Sequence, residues 1–313
     1  MSMRISTMQI YNGGTAGIQN LQSDLYSAQN QVNTMRRIVT PKDDPIGAAQ
    51  ALMVTQAGAV NELYQKNQGA ADSKLAALDS TLQGISEELV SIYEKSVAAG
   101  NGAYSDSDRK EIAAELTERL DSLVSLANTQ DGNGRYVFAG FQSTTTPFSG
   151  SPITYAGDDG QQKLQVTASQ FVTTNLSGND VFINVLDANN NPITDVNGNP
   201  ATMFQSVQDM ITFLNTPGGS AGSTDYTTAL KNISASIDNV LRNQATVGAR
   251  QSSLESMSNT AEDRKVQYAQ QLSAIEDLDY AKAITEISQK KLQLEATQAT
   301  FAKTAQLSLF SYI

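Results

Sequence analysis

The run Leu75-Ala-Ala-Leu78-Asp-Ser-Thr-Leu82-Gln-Gly-Ile85-Ser-Glu-Glu-Leu89-Val-Ser-Ile92 places an apolar side chain at steps of 3, 4, 3, 4 and 3. That spacing keeps Leu75, Leu78, Leu82, Ile85, Leu89 and Ile92 on one face of an α-helix, with Asp, Ser, Gln and Glu around them. The helix extends outward over residues 46–99, far longer than the mean globular helix, until Gly100-Asn-Gly102 stops it. Upstream, Thr40-Pro-Lys-Asp-Asp-Pro45 is a boundary: Pro41 biases Val39 and Thr40 away from helix, Asp44 can cap, and Pro45 suits the first helical position. Downstream, Ser105-Asp-Ser-Asp108 offers the cap of a third helix marked by Ile112, Leu116, Leu120, Leu123 and Ala127. A further helical face, Leu230, Ile233, Ile237, Val240 and Val247, can lie beside the first in a bundle, so both seams are expected to be intramolecular core.

The chain ends carry narrower stripes. Residues 5–11 read as extended or irregular, and Gly13-Gly14 interrupts them before Ile18, Leu21, Leu25, Ala28, Val32 and Met35 recur at heptad spacing. Near the other end Ile284, Ile287, Leu294 and Phe301 form a sparser seam, followed by Leu307-Ser-Leu-Phe-Ser-Tyr-Ile313. Two narrow stripes most simply pair with each other, yet such a pair builds no globular core and is expected to stay loose until further chains cover it. Leu21, Leu25, Val32, Met35, Ile284, Ile287, Leu294 and Phe301 are therefore expected at an intermolecular contact. Leu309, Phe310 and Ile313 are expected to form an apolar terminal anchor.

Between residues 142 and 200 the composition shifts to Thr, Gly, Asn and Pro. Lys163-Leu-Gln-Val-Thr167 and Val181-Phe-Ile-Asn-Val-Leu186 read as strands, and Asp187-Ala-Asn-Asn-Asn-Pro192 and Asp195-Val-Asn-Gly-Asn-Pro200 as turns. A short helix over 203–214 and a Gly-rich stretch over 217–222 close the insert. The fold class is mainly α with a β-rich insert: a long antiparallel helical rod or coiled coil built from both chain ends, with a small β-rich outer domain in the middle. The expected divisions are a terminal coiled-coil domain over 1–45 and 275–313, a helical rod domain over 46–141 and 225–274, and the insert over 142–224.

Composition limits the chemistry. The 313 residues hold 21 Lys plus Arg against 32 Asp plus Glu, a net charge of −11, with no His, Cys or Trp. Imidazole and thiol catalysis, zinc clusters and disulfides are excluded, and an acidic chain is ill suited to phosphate backbones. No enzyme activity, metal, cofactor, nucleic-acid or membrane partner is expected. The carboxylate neighbours Glu87-Glu88, Asp158-Asp159 and Glu276-Asp277 read as solvated surface. Asp187-x-Asn189-x-Asn191 opens like a calcium loop, but Pro192 and Gly198 stand where Gly and Glu are required. Gly13 to Gly17 lack the lysine of a phosphate loop. Only 17% of residues are charged, a polar but weakly repulsive surface that suits burial against other copies or relatives.

Five segments carry a resemblance: Met3-Arg-Ile-Ser-Thr7 with Tyr11; Pro41-Lys-Asp-Asp-Pro45 followed by Ile46-Gly-Ala-Ala49; Gly134-Arg-Tyr-Val-Phe-Ala-Gly-Phe141; Val247-Gly-Ala-Arg250 with Leu254-Glu255; and Ser308-Leu-Phe-Ser-Tyr-Ile313. In this order they resemble the flagellin-like axial proteins of bacterial flagella, most closely the members that join hook to filament. The resemblance implies a ring of subunits between the first hook-associated protein and flagellin. It also implies export unfolded through the flagellar type III channel without a cleaved signal, with an export chaperone as a further partner, and an extracellular location. In that reading the terminal helices line an inner tube. A flagellin-type filament subunit is the alternative within the family. A secreted binding module using the insert is the alternative outside it.

Overall fold

A computed structural model describes residues 2–310, and the side chains of residues 8, 9 and 11–305. Among them run six α-helices: α1 Ser2–Thr34, α2 Pro45–Ala99, α3 Asp106–Ala127, α4 Met203–Asn215, α5 Thr224–Glu276 and α6 Tyr280–Phe310. Strands β1 Phe148–Ser149 and β2 Thr154–Tyr155 pair antiparallel, as do β3 Lys163–Gln165 and β4 Phe171–Thr173, with Leu164 opposite Val172. The chain divides into two compact units, Met1–Glu62 with Glu262–Ile313, and Leu63–Ala261. No described helix is long and apolar enough to cross a membrane.

The second unit holds the core. Leu75, Leu78, Leu82, Ile85, Leu89 and Ile92 are each at most 1% exposed, as the spacing requires. They join Leu116 and Leu123 of α3 and Ile233, Val240 and Val247 of α5 in one hydrophobic cluster. The α3 cap is a reciprocal box: the Asp108 N–H donates to Ser105 Oγ at 3.2 Å, and the Ser105 N–H donates to Asp108 Oδ2 at 2.9 Å. The insert adds its own apolar side chains to the same cluster. Phe182 meets Phe138 edge-on at 5.1 Å, Phe148 at 4.9 Å and Phe204 in a stack at 5.3 Å. Each such burial contributes about 1.5–3 kcal/mol, with about 0.5–1.5 kcal/mol more for an aromatic pair.

The short β-prone run at Val181 to Leu186 is not a strand. Residues Asn179–Ile183 form a π-helical turn, whose Asp180 and Val181 carbonyls both accept from Asn239 Nδ2 at 3.0 Å. A short apolar run says that side chains are buried, not which backbone buries them. Here Val181 and Phe182 reach the core from a helical turn. The expected turns are present, and a third shares their construction. In Asp131-Gly-Asn-Gly-Arg135, Asp187-Ala-Asn-Asn-Asn191 and Asp195-Val-Asn-Gly-Asn199 the aspartate Oδ1 accepts the N–H groups two and four residues on, at 2.8–3.0 Å. The fourth residue, Gly134, Asn190 or Gly198, has positive φ, which Gly and Asn tolerate best.

Of two carboxylate pairs read as solvated, Glu87 and Asp159 are exposed, while Asp158 and Glu88 are partly covered and tied down. Asp158 Oδ1 accepts from the N–H groups of Phe141 at 2.7 Å and Gly160 at 2.8 Å, and Asp159 Oδ1 accepts from Ser177 Oγ and Asn179 Nδ2. Glu88 pairs with Arg119 at 3.2 Å.

In the first unit α1 runs unbroken through Gly13 and Gly14, contrary to the expected irregular start. Glycine costs a helix about 1 kcal/mol relative to alanine. At Gly14 contact with α6 offsets that cost: a Cβ there would fall 2.5 Å from Cδ2 of Phe301, so the ring sits directly on bare backbone.

Candidate assembly surface

The candidate surface is the pair of chain ends, and its geometry begins where α1 stops. Met35 has a left-handed backbone, φ +57°, and is followed by a Schellman closure: the Arg36 N–H donates to the Gln31 carbonyl at 3.2 Å and the Met35 N–H to the Val32 carbonyl at 3.3 Å. A non-glycine residue in this conformation costs about 1–2 kcal/mol. The turn throws Arg36 and Arg37 onto the end of α5. The last carbonyls of a helix lack intrahelical partners and carry partial negative charge, so cations are favoured there. Arg37 Nε and Nη2 donate to the Ile275 carbonyl at 3.2 and 2.8 Å, and its backbone N–H donates to the Glu276 carbonyl at 2.6 Å. Arg36 pairs with Glu276 at 3.3 Å, where the Glu276 side chain is largely covered, and so Glu276 is not the solvated group its position suggested.

The Thr40 to Pro45 loop locks onto the same joint. Arg37 Nη1 donates to Asp44 Oδ2 at 3.1 Å, while Asp44 Oδ1 accepts the Gly47 N–H at 2.9 Å and so caps α2, as expected. The Gly47 N–H first, and Arg37 next, hold the Asp44 carboxyl below its ordinary range. Asp43 Oδ2 accepts from Thr40 N, Thr40 Oγ1 and Val39 N, and the Thr40 N–H above all lowers its pKa. A Cβ on Gly47 would meet Asp44 Oδ2 at 2.5 Å and Ile38 Cδ1 at 2.6 Å, so a larger residue would displace both side chains from the closed loop. Asp279 Oδ1 accepts the Lys282 N–H at 3.1 Å and starts α6.

From this joint α1 and α6 run antiparallel: Arg36 bridges Asp277, Asp24 pairs with Lys290 at 3.9 Å, and the rings of Tyr11 and Phe301 lie 5.2 Å apart. Leu21, Leu25, Val32, Ile287, Leu294 and Phe301 are half-buried in the unit, while Met35 and Ile284 are exposed. The side chains of Leu309 and Phe310, and Ile313 altogether, lie outside the described residues. The buried hydrophobics here are Ala28, Ile38, Ala51 and Ala283, small apart from Ile38, whereas Ile46 is 73% and Leu292 68% exposed, and Tyr26, Leu52 and Met53 are exposed likewise. Sequence reasoning marked the seams but missed the arginines, since nothing local links Arg37 to a carbonyl 238 positions away.

Among the described residues no group of three or more Asp or Glu could hold a metal ion. What this unit offers is contact area: Met35 and Ile284 of the seams, and Ile46, Leu52, Met53 and Leu292 outside them, are left open.

Residues 5–143 match the profile of the bacterial flagellin N-terminal helical region, and residues 230–313 that of the bacterial flagellin C-terminal helical region. The flagellar hook-associated protein 3 of Escherichia coli K12 is 32% identical over 316 residues, covering 98% of this chain and 99% of that protein. A flagellin of Salmonella derby is 29% identical over 251 residues, covering 77% of this chain but 45% of the flagellin. The flagellar junction protein of Legionella pneumophila has a similar fold, with a TM-score of 0.61 at 23% identity over 73% of this chain and 100% of that one. Both matched regions supply the helices of the paired ends. The unmatched span between them holds the strands, the π turn and α4.

Proposed function

The chain belongs to the flagellar hook-associated protein 3 family, and from that premise we propose that it is a structural subunit of the bacterial flagellum, placed where the hook meets the filament. The observation that carries this reading is the paired chain ends, where Ile46, Leu52, Met53 and Leu292 stay exposed beside a tied joint, as side chains that meet neighbouring chains do. The match to hook-associated protein 3 over nearly the whole of both chains supports the junction subunit over the filament subunit, since flagellins are more than twice as long as the part aligned.

The residues that pack between subunits are Leu21, Leu25, Val32, Met35, Ile284, Ile287, Leu294 and Phe301, within the segments 1–45 and 275–313, with Leu309, Phe310 and Ile313 as terminal anchor. The partners are further copies of the chain, the first hook-associated protein, flagellin and an export chaperone, and the site of action is outside the cell. The role is mechanical, and it uses no side chain as a reagent.

Electron microscopy of cells from which this chain has been deleted tests the reading. Bare hooks with flagellin shed into the medium are expected; normal attached filaments would reject it.

A further inference from the structure

An asparagine followed by glycine is chemically labile in water, because a residue without a Cβ leaves its backbone nitrogen open to attack the preceding side-chain amide. The chain has four such pairs: Asn12-Gly13, Asn101-Gly102, Asn133-Gly134 and Asn197-Gly198. All four asparagines are exposed, so neither the dipeptide nor its exposure ranks them. Hydrogen bonding of the glycine nitrogen does. Gly13 lies inside α1, where the helical ladder takes its N–H. The Gly134 N–H donates to the Asp131 carbonyl at 2.9 Å, and the Gly198 N–H to the Asp195 carbonyl at 3.1 Å. Asp131 Oδ1 and Asp195 Oδ1 also accept the N–H of Asn133 and of Asn197, each at 2.8 Å, which pins both loops further.

Asn101 differs. It sits in the turn between α2 and α3, and the Gly102 N–H donates to no group among the described residues. The Asn101 side chain is already folded back along the turn, since the Ala103 N–H donates to its Oδ1 at 3.1 Å. That bond places a donor where negative charge gathers when the side-chain carbonyl is attacked.

We infer that Asn101 is a site of spontaneous deamidation, with water as the only co-reactant and the fold as the selector. The Gly102 nitrogen gives its proton to water or hydroxide and bonds to Asn101 Cγ, while the carbonyl electron pair moves onto Oδ1. As that pair returns, the Cγ–Nδ2 bond breaks and Nδ2 takes a proton and leaves as ammonia. Water then opens the cyclic imide at either carbonyl, giving aspartate or isoaspartate. The new carboxylate lies just beyond the end of α2, where the last carbonyls already carry partial negative charge. Isoaspartate also adds a methylene to the main chain of a turn closed by the Asn101 N–H on the Ala98 carbonyl at 3.0 Å and the Tyr104 N–H on the Asn101 carbonyl at 3.1 Å. Both products loosen the α2–α3 turn. The chemistry needs only the folded chain and stands apart from the junction reading above.

The purified full chain is kept at neutral and at mildly alkaline pH, sampled over weeks, digested and read by mass spectrometry for amide converted to acid. Conversion at Asn101 should outrun that at Asn133 and Asn197, which share its compact unit, by about tenfold, the factor that one net hydrogen bond carries. It should quicken in alkali, because the attacking nitrogen must lose its proton. In concentrated urea the three sites should converge. Equal rates at the three sites in the folded chain would overturn the assignment, and a lead for Asn101 that persists in urea would show that sequence selects it and not the fold. A second arm uses Gly102→Ala. Gly102 has no left-handed φ and an added Cβ there would meet nothing within 4 Å, so the fold should tolerate the methyl group while Asn101 loses most of its conversion. Unchanged conversion at Asn101 in Gly102→Ala, with circular dichroism like that of the parent chain, would also overturn it.

Discussion

Leu89 and Leu292 are the same residue type on long helices, yet Leu89 is fully buried and Leu292 is 68% exposed. The contrast holds across the two units. In Leu63–Ala261 the seam of α2 meets α3, α5 and the aromatic side chains of the insert, and its leucines vanish from the surface. In the paired ends α1 and α6 have chiefly each other, and their seam residues stay half-buried or open. A 3-4 spacing therefore identifies the face of a helix, while the number of elements that the chain can bring to that face decides whether it becomes core or interface.

Substitution in the two units should separate these roles. Leu89→Ala empties a filled position and is expected to cost about 2–5 kcal/mol in the denaturant unfolding of the isolated chain. Leu292→Ala should change that unfolding by less than about 0.5 kcal/mol and instead reduce incorporation into flagella. Equal losses of monomer stability at both positions would erase the distinction.

A smaller effect sharpens the picture of the central unit. Burial in α4 raises the pKa of Asp209 above its ordinary value, the neighbouring Asp195 and Asp225 add to this, and the hydrogen bond from Gln205 at 2.6 Å opposes it. A carboxyl whose folded pKa is raised binds more protons in the native state than in the unfolded one, so it weakens the fold as pH rises through that interval. Asp209→Asn is expected to stabilise the chain by a few tenths of a kcal/mol at pH 7. The gain should shrink as pH falls toward the unfolded aspartate value near 3.9, measured as the difference in Tm between the two chains. A gain that grows in acid would contradict the sign.

How much of this could be read in advance follows the range over which each interaction acts. The seam from Leu75 to Ile92, the Asp44 cap and the Asp187 and Asp195 turns are set by neighbours within a few positions, and the residues declare them. The unbroken α1 could not be read, since two glycines argue locally against helix and only the ring of Phe301 makes Gly14 an asset. The π turn at Asn179 was hidden because an apolar run fixes burial and leaves backbone geometry open. The joint was the largest omission. Arg36 and Arg37 find Ile275 and Glu276 only after α1 has turned at Met35, a left-handed residue that nothing in its neighbourhood requires. The spacing marks the seam residues of the ends as contacts, and their partial burial against each other leaves the remaining faces to be covered.

That remaining coverage is the centre of the account, and amide hydrogen exchange measures it directly. On the isolated chain, residues 8–34 and 280–305 should exchange far faster than residues 75–92. On purified hook–filament structures the same end segments should become protected to a level near that of the central seam. Full protection of both ends in the isolated chain would contradict the claim that assembly completes them.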